Sequence, residues 1–362
     1  MKLTIDLRMI NASGIGTYLK NIVPGILDAF NDVTVLGNEE ELSAFSWASR
    51  VKIIAFNENI YSIKEQLKYP QAVPVCDALW CPHFNAPLLP VKAKKIVVTI
   101  HDLYHLSEKN KLPIIQKLYA GLLYKNAARK ASVIFTVSEF SKSELIKYTN
   151  ASAQKIKVVY CGVNTEIFNP QASSEGLKMN LPEKYILYVG NVKPHKNLIT
   201  LLKAYNALSD EIKSAYKLVI IGKETGFINT DASLTQYIEE NNLHKNIVFT
   251  GYVEDKAIPV IYKQAELFVF PSLYEGFGLP VLEALAVHTP VISSNAASLP
   301  EVGGDAVEYF DPLDFNTLAV KITELLESPA RRQELIANAD TQASKYTWQK
   351  SISKHVDALK NI

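Results

Sequence analysis

The sequence is short of several things. It has no membrane-length apolar run: nothing approaches the roughly 18 apolar residues that a spanning helix needs. It has almost no net charge, +1 from 38 basic and 37 acidic residues, so the whole chain is not built to hold a nucleic acid. Cysteine is scarce. Cys76, Cys81 and Cys161 are odd in number and form no metal-type cluster, which points to buried or free thiols in a reducing compartment. A secretory leader is missing as well. The opening residues Lys2 to Arg8 place an acid and bases within the apolar stretch, so they read as a first strand of a cytoplasmic protein.

What is present is a long strand–helix alternation. At 362 residues two domains are expected, and the beat of apolar runs and helical spacing occurs twice. The first half runs to about residue 165. A turn-rich linker, 164–183, holds Asn169-Pro170, Ser173-Ser174, Gly176 and Pro182. A second alternation then starts at Lys184. This is an α/β pattern with two doubly wound parallel sheets, and the crevice beyond their strand ends is the expected ligand site. The even net charge hides an asymmetry: bases outnumber acids in residues 1–165 and acids outnumber bases in 166–362. Much of the basic excess falls in 109–130, where Lys and Arg alternate with Leu, Ile and Tyr at helical spacing. Two readings stand: a helix resting on an anionic membrane surface, or an ordinary amphipathic helix with its basic side in water.

The loops after strands carry the chemistry. Gly14 and Gly16 lie between a first strand and a helix expected from about residue 17. A backbone of this kind can seat a phosphate, or it can simply make a tight turn. The dinucleotide pattern is incomplete, because Leu19 stands where a third glycine belongs. That argues against a nicotinamide or flavin enzyme. His101 follows a β-branched strand and precedes Asp102; it faces the crevice or caps the next loop, with Asp102 as a turn residue. Lys196 lies after a strand and before a helix, where an anionic diphosphate is a natural guest. The stretch 266–283 gives a buried strand at 267–270, a glycine loop, and a helix that starts at Leu279-Pro280. Glu275 and Glu283 flank that loop and helix start. Carboxylates do not bind phosphate, so they point to hydroxyl groups, although Glu283 can also be read as a helix cap and Glu275 as a loop stabiliser. A diphosphate site beside hydroxyl-binding carboxylates describes a nucleotide-sugar site.

The run Glu275-Gly276-Phe277-Gly278-Leu279-Pro280-Val281-Leu282-Glu283 resembles the paired-glutamate motif of the family 4, or group 1, glycosyltransferases. Ser13 to Tyr18, Thr99 to Leu103, Val137 to Lys142, Gly190 to Asn197, Leu299 to Val302 with Gly304 to Ala306, and Tyr346 to Trp348 resemble further family motifs in the same order. The resemblance implies the GT-B fold, two Rossmann-like domains facing a cleft. They would span residues 1–165 and 166–345, with a tail, 346–362, packing back on the first. It implies retaining, metal-independent transfer of a hexose from a nucleoside diphosphate donor, and the chain has no Asp-x-Asp. By resemblance Glu283 holds the ribose and Glu275 the donor sugar. The backbone of Gly276, Phe277, Gly278 and Leu279 lies along the sugar and diphosphate. Lys196 neutralises the diphosphate, Gly14 and Gly16 approach the phosphates, and His101 lies near the reacting centre. Family members commonly carry arginine where this chain has Asn191, so Lys193 or His195 substitutes for it, or Lys196 and backbone donors suffice.

The loop 190–197 resembles that of mannosyl- and rhamnosyl-type transferases, a lean toward GDP-mannose. The acceptor expected is a surface polysaccharide or a polyprenyl-linked glycan at the inner membrane face. Rival readings are another enzyme of the same fold, an epimerase or phosphorylase type, and a sugar-binding receptor.

Overall fold

The computed structural model describes residues 1–362 except 109, 111, 172–178 and 223–231. The chain divides into two compact units. Unit 1 is Met1–Cys161 with Trp348–Ile362, and unit 2 is Gly162–Thr347. The changeover falls at 161 and 348 because the outgoing and returning segments meet inside unit 2. Val163 N–H donates to the Tyr346 carbonyl at 3.3 Å, and Val163 pairs in parallel with Thr347.

Unit 1 alternates β1 (Lys2–Asp6), α1 (Ser13–Ala29), β2 (Asp32–Gly37), α2 (Glu39–Ser43), β3 (Lys52–Ala55), α3 (Ile63–Ala72) and β4 (Cys76–Cys81). It continues with β5 (Ala93–Ile100), α4 (Ile114–Lys130), β6 (Val133–Thr136), α5 (Glu139–Thr149) and β7 (Ile156–Val158). The sheet order is β3-β2-β1-β4-β5-β6-β7, and every pairing is parallel. Strands buried on both faces read as continuous apolar runs, as Val133 to Thr136 does. β2 and β3 are hard to see in the sequence. Their runs are short, and β3 at the sheet edge is only partly buried, so they lack that signature.

Ser138 caps α5, its hydroxyl accepting from Ser141 N–H at 3.0 Å. Helix α4 begins at Ile114; Lys109 and Lys111 lie outside the described residues. Its inner side buries Ala120, Leu123, Tyr124 and Ala127. Its outer side is not simply basic: Ile114, Ile115, Leu118 and Leu122 are 54–77% exposed, ahead of exposed Lys125 and Arg129. All three cysteines are buried and unpaired in disulfides.

Unit 2 repeats the beat. It has β8 (Tyr185–Val189), α6 (Leu198–Ala207), α7 (Asp210–Ala215), β9 (Lys217–Ile221), α8 (Ala232–Glu240), β10 (Ile247–Phe249), α9 (Ile258–Gln264) and β11 (Leu267–Phe270). Then come α10 (Leu279–Ala286), β12 (Val291–Ser294), α11 (Leu299–Gly303), β13 (Val307–Phe310), α12 (Phe315–Glu327) and α13 (Pro329–Ala343). The order is β10-β9-β8-β11-β12-β13, again all parallel. In each sheet the strand order reverses beside its first strand, between β1 and β4 and between β8 and β11. Ligands bind in the crevice that such a reversal leaves at the strands' C-terminal ends.

The last helix, α14 (Trp348–Lys360), completes unit 1 against α1. Gly25 makes room for it, since a Cβ there would lie 2.5 Å from Ile352 Cγ2. His355 is fully buried. Its Nδ1 faces the Ser351 carbonyl at 2.8 Å and its Nε2 the Tyr18 hydroxyl at 2.5 Å. The carbonyl can only accept, so Nδ1 carries the proton and Nε2 accepts from Tyr18. Phe135 and Trp80 surround the ring, with centroids at 4.3 and 5.5 Å.

Burial pushes the His355 pKa down from 6.5 to about 4. As pH falls through that window the unfolded chain takes up a proton that the folded one refuses, so stability falls. Denaturant melts should show this contribution, up to ~1.4 kcal/mol per pH unit, as a slope present in the wild type and absent in His355→Gln. Parallel slopes for the two proteins would contradict it.

A glutamate–lysine clasp at the strand-order reversal

In unit 2 the two loops at the reversal are Gly190–Asn197, after β8, and Pro271–Gly278, after β11. They are fastened to each other three times. His195 O accepts from Leu273 N–H at 2.7 Å. Asn197 Nδ2 donates to Pro271 O at 2.9 Å and to Pro312 O at 2.8 Å. Lys196 Nζ donates to Glu275 Oε1 at 2.7 Å, with the two side chains 18% and 12% exposed. Lys196 also lies 5.5 Å from the centroid of the Phe270 ring. Asn197 has φ 57°, a left-handed conformation that asparagine tolerates better than most residues. The structure therefore joins Lys196 and Glu275 directly, as a partly desolvated ion pair.

The glycine loop is held from behind. Ser298 Oγ, fully buried, donates to Glu275 O at 3.0 Å and Phe277 O at 2.7 Å. The Phe277 ring packs against Tyr346, with centroids 5.6 Å apart, so the loop has its backbone, and not this ring, to offer a ligand. Gly278 has φ 119° and would place a Cβ 2.7 Å from Leu299 Cδ2. Glycine is required there on both counts. Gly278 also caps α10 without a side-chain bond, and no acid sits in the first turn. The N–H groups of that turn, from Leu279 on, carry partial positive charge.

Glu283 lies about a turn inside α10 and does not cap it. Instead Tyr262 OH donates to Glu283 Oε2 at 3.2 Å. Burial pushes the Glu283 carboxyl up to about 7; the Tyr262 bond opposes this and Asp255 adds to it. Asn191 is exposed on its loop, and no hydrogen bond joins its side chain to the Lys196–Glu275 pair among the described residues. Sequence reasoning missed Ser298, Asn197 and Tyr262. They act through bonds to residues more than twenty positions away in the chain and leave no local pattern.

In unit 1 the helix begins earlier than expected, at Ser13, so Gly14 and Gly16 are in its first turn and not in a loop before it. The N-cap, Ala12, supplies no side-chain bond and the first turn has no acid, which leaves this end receptive to an anion. The two glycines differ. A Cβ on Gly16 would lie 2.5 Å from Ile10 O, whereas at Gly14 nothing comes within 4 Å. His101 Nε2 donates to Pro82 O at 3.1 Å, and its ring meets Tyr18 edge-on at 4.9 Å. Burial lowers its pKa, against the pull of Pro82 and Asp102. Asp102 is the turn residue, accepting from Tyr104 N–H at 2.9 Å.

Comparison with known proteins gives this arrangement a setting. The family described as Glycosyl transferases group 1 matches residues 171–342, and Glycosyltransferase Family 4 matches 12–167. O-antigen chain mannosyltransferase B of Escherichia coli is 34% identical over 277 residues, 75% of this chain and 72% of that protein. The chain belongs to the group 1 (family 4) glycosyltransferases. O-antigen chain mannosyltransferase RfbU of Salmonella typhimurium is 29% identical over 261 residues, 71% of this chain and 68% of that one. Among solved structures, sucrose-phosphate synthase from Thermosynechococcus elongatus superposes with a TM-score of 0.80 at 18% identity, covering 100% and 99% of the two chains. The fold of this transferase is GT-B.

The two glycines of α1 should separate in a thermal denaturation experiment. Gly16→Ala forces the 10–12 backbone away and should cost ~1–3 kcal/mol. Gly14→Ala meets open space and should stay within ~1 kcal/mol of wild type. Equal losses would show that the crowding at Gly16 is relieved at no cost.

Proposed function

We propose that the transferase moves a hexose, mannose from GDP-mannose, with retention of configuration to a glycan or lipid-linked acceptor in surface polysaccharide synthesis. The observation that carries this is the Lys196–Glu275 clasp at the strand-order reversal, with Glu283 a helical turn beyond it. The two mannosyltransferase relatives support the choice of sugar and the setting.

In this reading Glu283 accepts hydrogen bonds from the donor's ribose. The diphosphate meets Lys196 and the backbone from Gly276 to Leu279, at the start of α10. Glu275 holds hydroxyls of the sugar. The bond from the anomeric carbon to the diphosphate oxygen breaks as the acceptor oxygen bonds the same carbon from the same face. The leaving phosphate oxygen takes the acceptor's proton, and a nucleoside diphosphate departs. Lys196 stabilises the charge that grows on the leaving group, so no metal is invoked and the assay can be run in EDTA. His101, with Nε2 donating to Pro82 O, keeps its other nitrogen as an acceptor.

The clasp sharpens the roles of the two glutamates. Glu283→Ala removes an acceptor for ribose and should weaken nucleoside diphosphate binding roughly ten- to a hundredfold. Glu275→Ala releases Lys196 from its partner, so diphosphate affinity should equal or exceed wild type while transfer is lost. Thermal shifts with GDP, UDP, ADP and dTDP read the affinities and the preferred base together. Equal weakening in both variants would refute the division.

The aliphatic outer face of α4, together with exposed Ile63 and Leu67 on α3, supports a bilayer as the place where a lipid-linked acceptor is met. Both helices fasten to the segment after β4, α3 through Gln66 Oε1 accepting from Leu88 N–H at 2.8 Å and α4 through Lys130 Nζ donating to Leu88 O at 2.7 Å. Wild type should float with vesicles containing an anionic lipid. Ile115→Glu/Leu118→Glu should stay in the soluble fraction with its nucleotide response intact. Soluble wild type at low salt would remove the membrane from this reading.

A further inference from the structure

The reversal in unit 1 carries a buried polar chain that the donor chemistry does not use. Its root is Arg8, just past β1. The guanidinium binds Asp6 through Nε at 2.9 Å and Nη2 at 2.5 Å. It also binds Glu65 Oε1 at 2.7 Å, Tyr69 OH at 2.7 Å and Glu58 O at 3.1 Å, and it lies 4.2 Å from the centroid of the Phe56 ring. The Arg8, Asp6 and Glu65 side chains are 5%, 7% and 0% exposed.

Glu65 is the third residue of α3, and Ser62 caps that helix. Ser62 Oγ accepts from Glu65 N–H at 3.0 Å, and Glu65 Oε2 reaches past the cap to accept from Tyr61 N–H at 2.8 Å, a variant of the capping box with the return bond one residue earlier. Glu65 Oε1 takes a second bond, from Asn85 Nδ2.

Each bond then fixes the next. Asn85 has its amide nitrogen committed to Glu65, so its Oδ1 is what faces His83 Nδ1 at 3.2 Å. His83 therefore carries its proton on Nδ1 and accepts at Nε2. It stays neutral, because burial, with a further push from His101, takes its pKa down to about 3. The Tyr61 hydroxyl, 2.9 Å from Nε2, must donate to it. The lone pairs of Tyr61 Oη are then what the chain has left to offer as acceptors, on a residue that is 37% exposed.

A purely structural role explains the root of this chain but not its tip. Tyr61 has φ 70°, a conformation costly for a bulky side chain and one that persists where surroundings impose it. Its ring lies over Phe84 at 5.2 Å and 25°, and Phe84 over Tyr124 at 3.9 Å and 18°. The tip is thus a rigid aromatic plate bearing one oriented acceptor oxygen, at the ligand end of the sheet.

We infer that Tyr61 is a binding residue for the acceptor glycan. It takes a hydrogen bond from one sugar hydroxyl and sets its ring against the sugar's apolar face, while His83, Asn85, Glu65 and Arg8 position it. The inference rests on the glycosyl-transfer reading and adds the acceptor side to it.

The test uses saturation-transfer NMR on the full chain with GDP present. The probes are methyl glycosides of mannose, rhamnose, glucose, galactose and N-acetylglucosamine, with singly deoxygenated analogues of whichever binds. Wild type should bind one of them, and Tyr61→Phe should weaken it roughly three- to tenfold with the GDP thermal shift unchanged. His83→Ala should do the same by releasing the Tyr61 proton. One deoxygenated analogue should lose as much on wild type and nothing more on Tyr61→Phe, a coupling that a merely structural tyrosine does not give. Wild type binding no glycoside, or no single hydroxyl mattering to it, overturns the inference even if a variant proves unstable. A wild type that responds to no nucleoside diphosphate overturns the transferase reading instead.

Discussion

Parallel strands buried on both faces cannot turn back on themselves. Each must return through a crossover of ten residues or more, so every strand here ends at the same edge of its sheet and the loop that follows it lies there. The rest of the protein depends on this constraint. It collects the loops at one edge and leaves a gap wherever the strand order reverses, beside β1 in one unit and β8 in the other. Lys196 and Glu275 are 79 positions apart and meet because β8 and β11 are neighbours. His83 and Arg8 belong to one network because β1 and β4 are neighbours.

The two reversals handle charge differently. In unit 1 the Arg8 guanidinium is surrounded by acceptors, and removing one partner would leave a buried charge uncompensated, which costs far more than the pair contributes. That network is a fixed frame. In unit 2 Lys196 and Glu275 have each other and a partial water shell. Such a pair can part at modest cost when a better partner for each arrives. One buried charge thus holds a shape, and the other is a pair of groups waiting to be separated by a guest.

Much of this was legible in the chain. The β-branched run before His101, the buried run 267–270 and the proline in the first turn of α10 place the loops correctly. Ser138 announces its helix by capping chemistry alone. The paired glutamates are readable because loop, glycine and helix start are contiguous. What escaped is what depends on distance in the chain. Nothing beside Ser298 says that it holds the 275–277 loop, and nothing beside Tyr262 says that it bonds Glu283. The earlier start of α1 escaped for a different reason. Glycine disfavours a helix, and tertiary packing outweighs that penalty at Gly14 and Gly16. The outer face of α4 was misleading on paper, because the helix is apolar on both sides and periodicity cannot say which side the core takes.

The return of α14 to unit 1 has a consequence for how the protein is made. A chain leaving the ribosome presents β1 to β7 early, yet Gly25 has no Ile352 beside it and Tyr18 no His355 to bond until α14 has emerged. Throughout that interval the apolar side of α1 stands open, and the whole of unit 2 must be threaded out before it can be covered. Unit 2, lying unbroken between Gly162 and Thr347, can reach its final state first. The part most exposed to chaperones and proteases during synthesis is therefore unit 1, although its strands are made before those of unit 2.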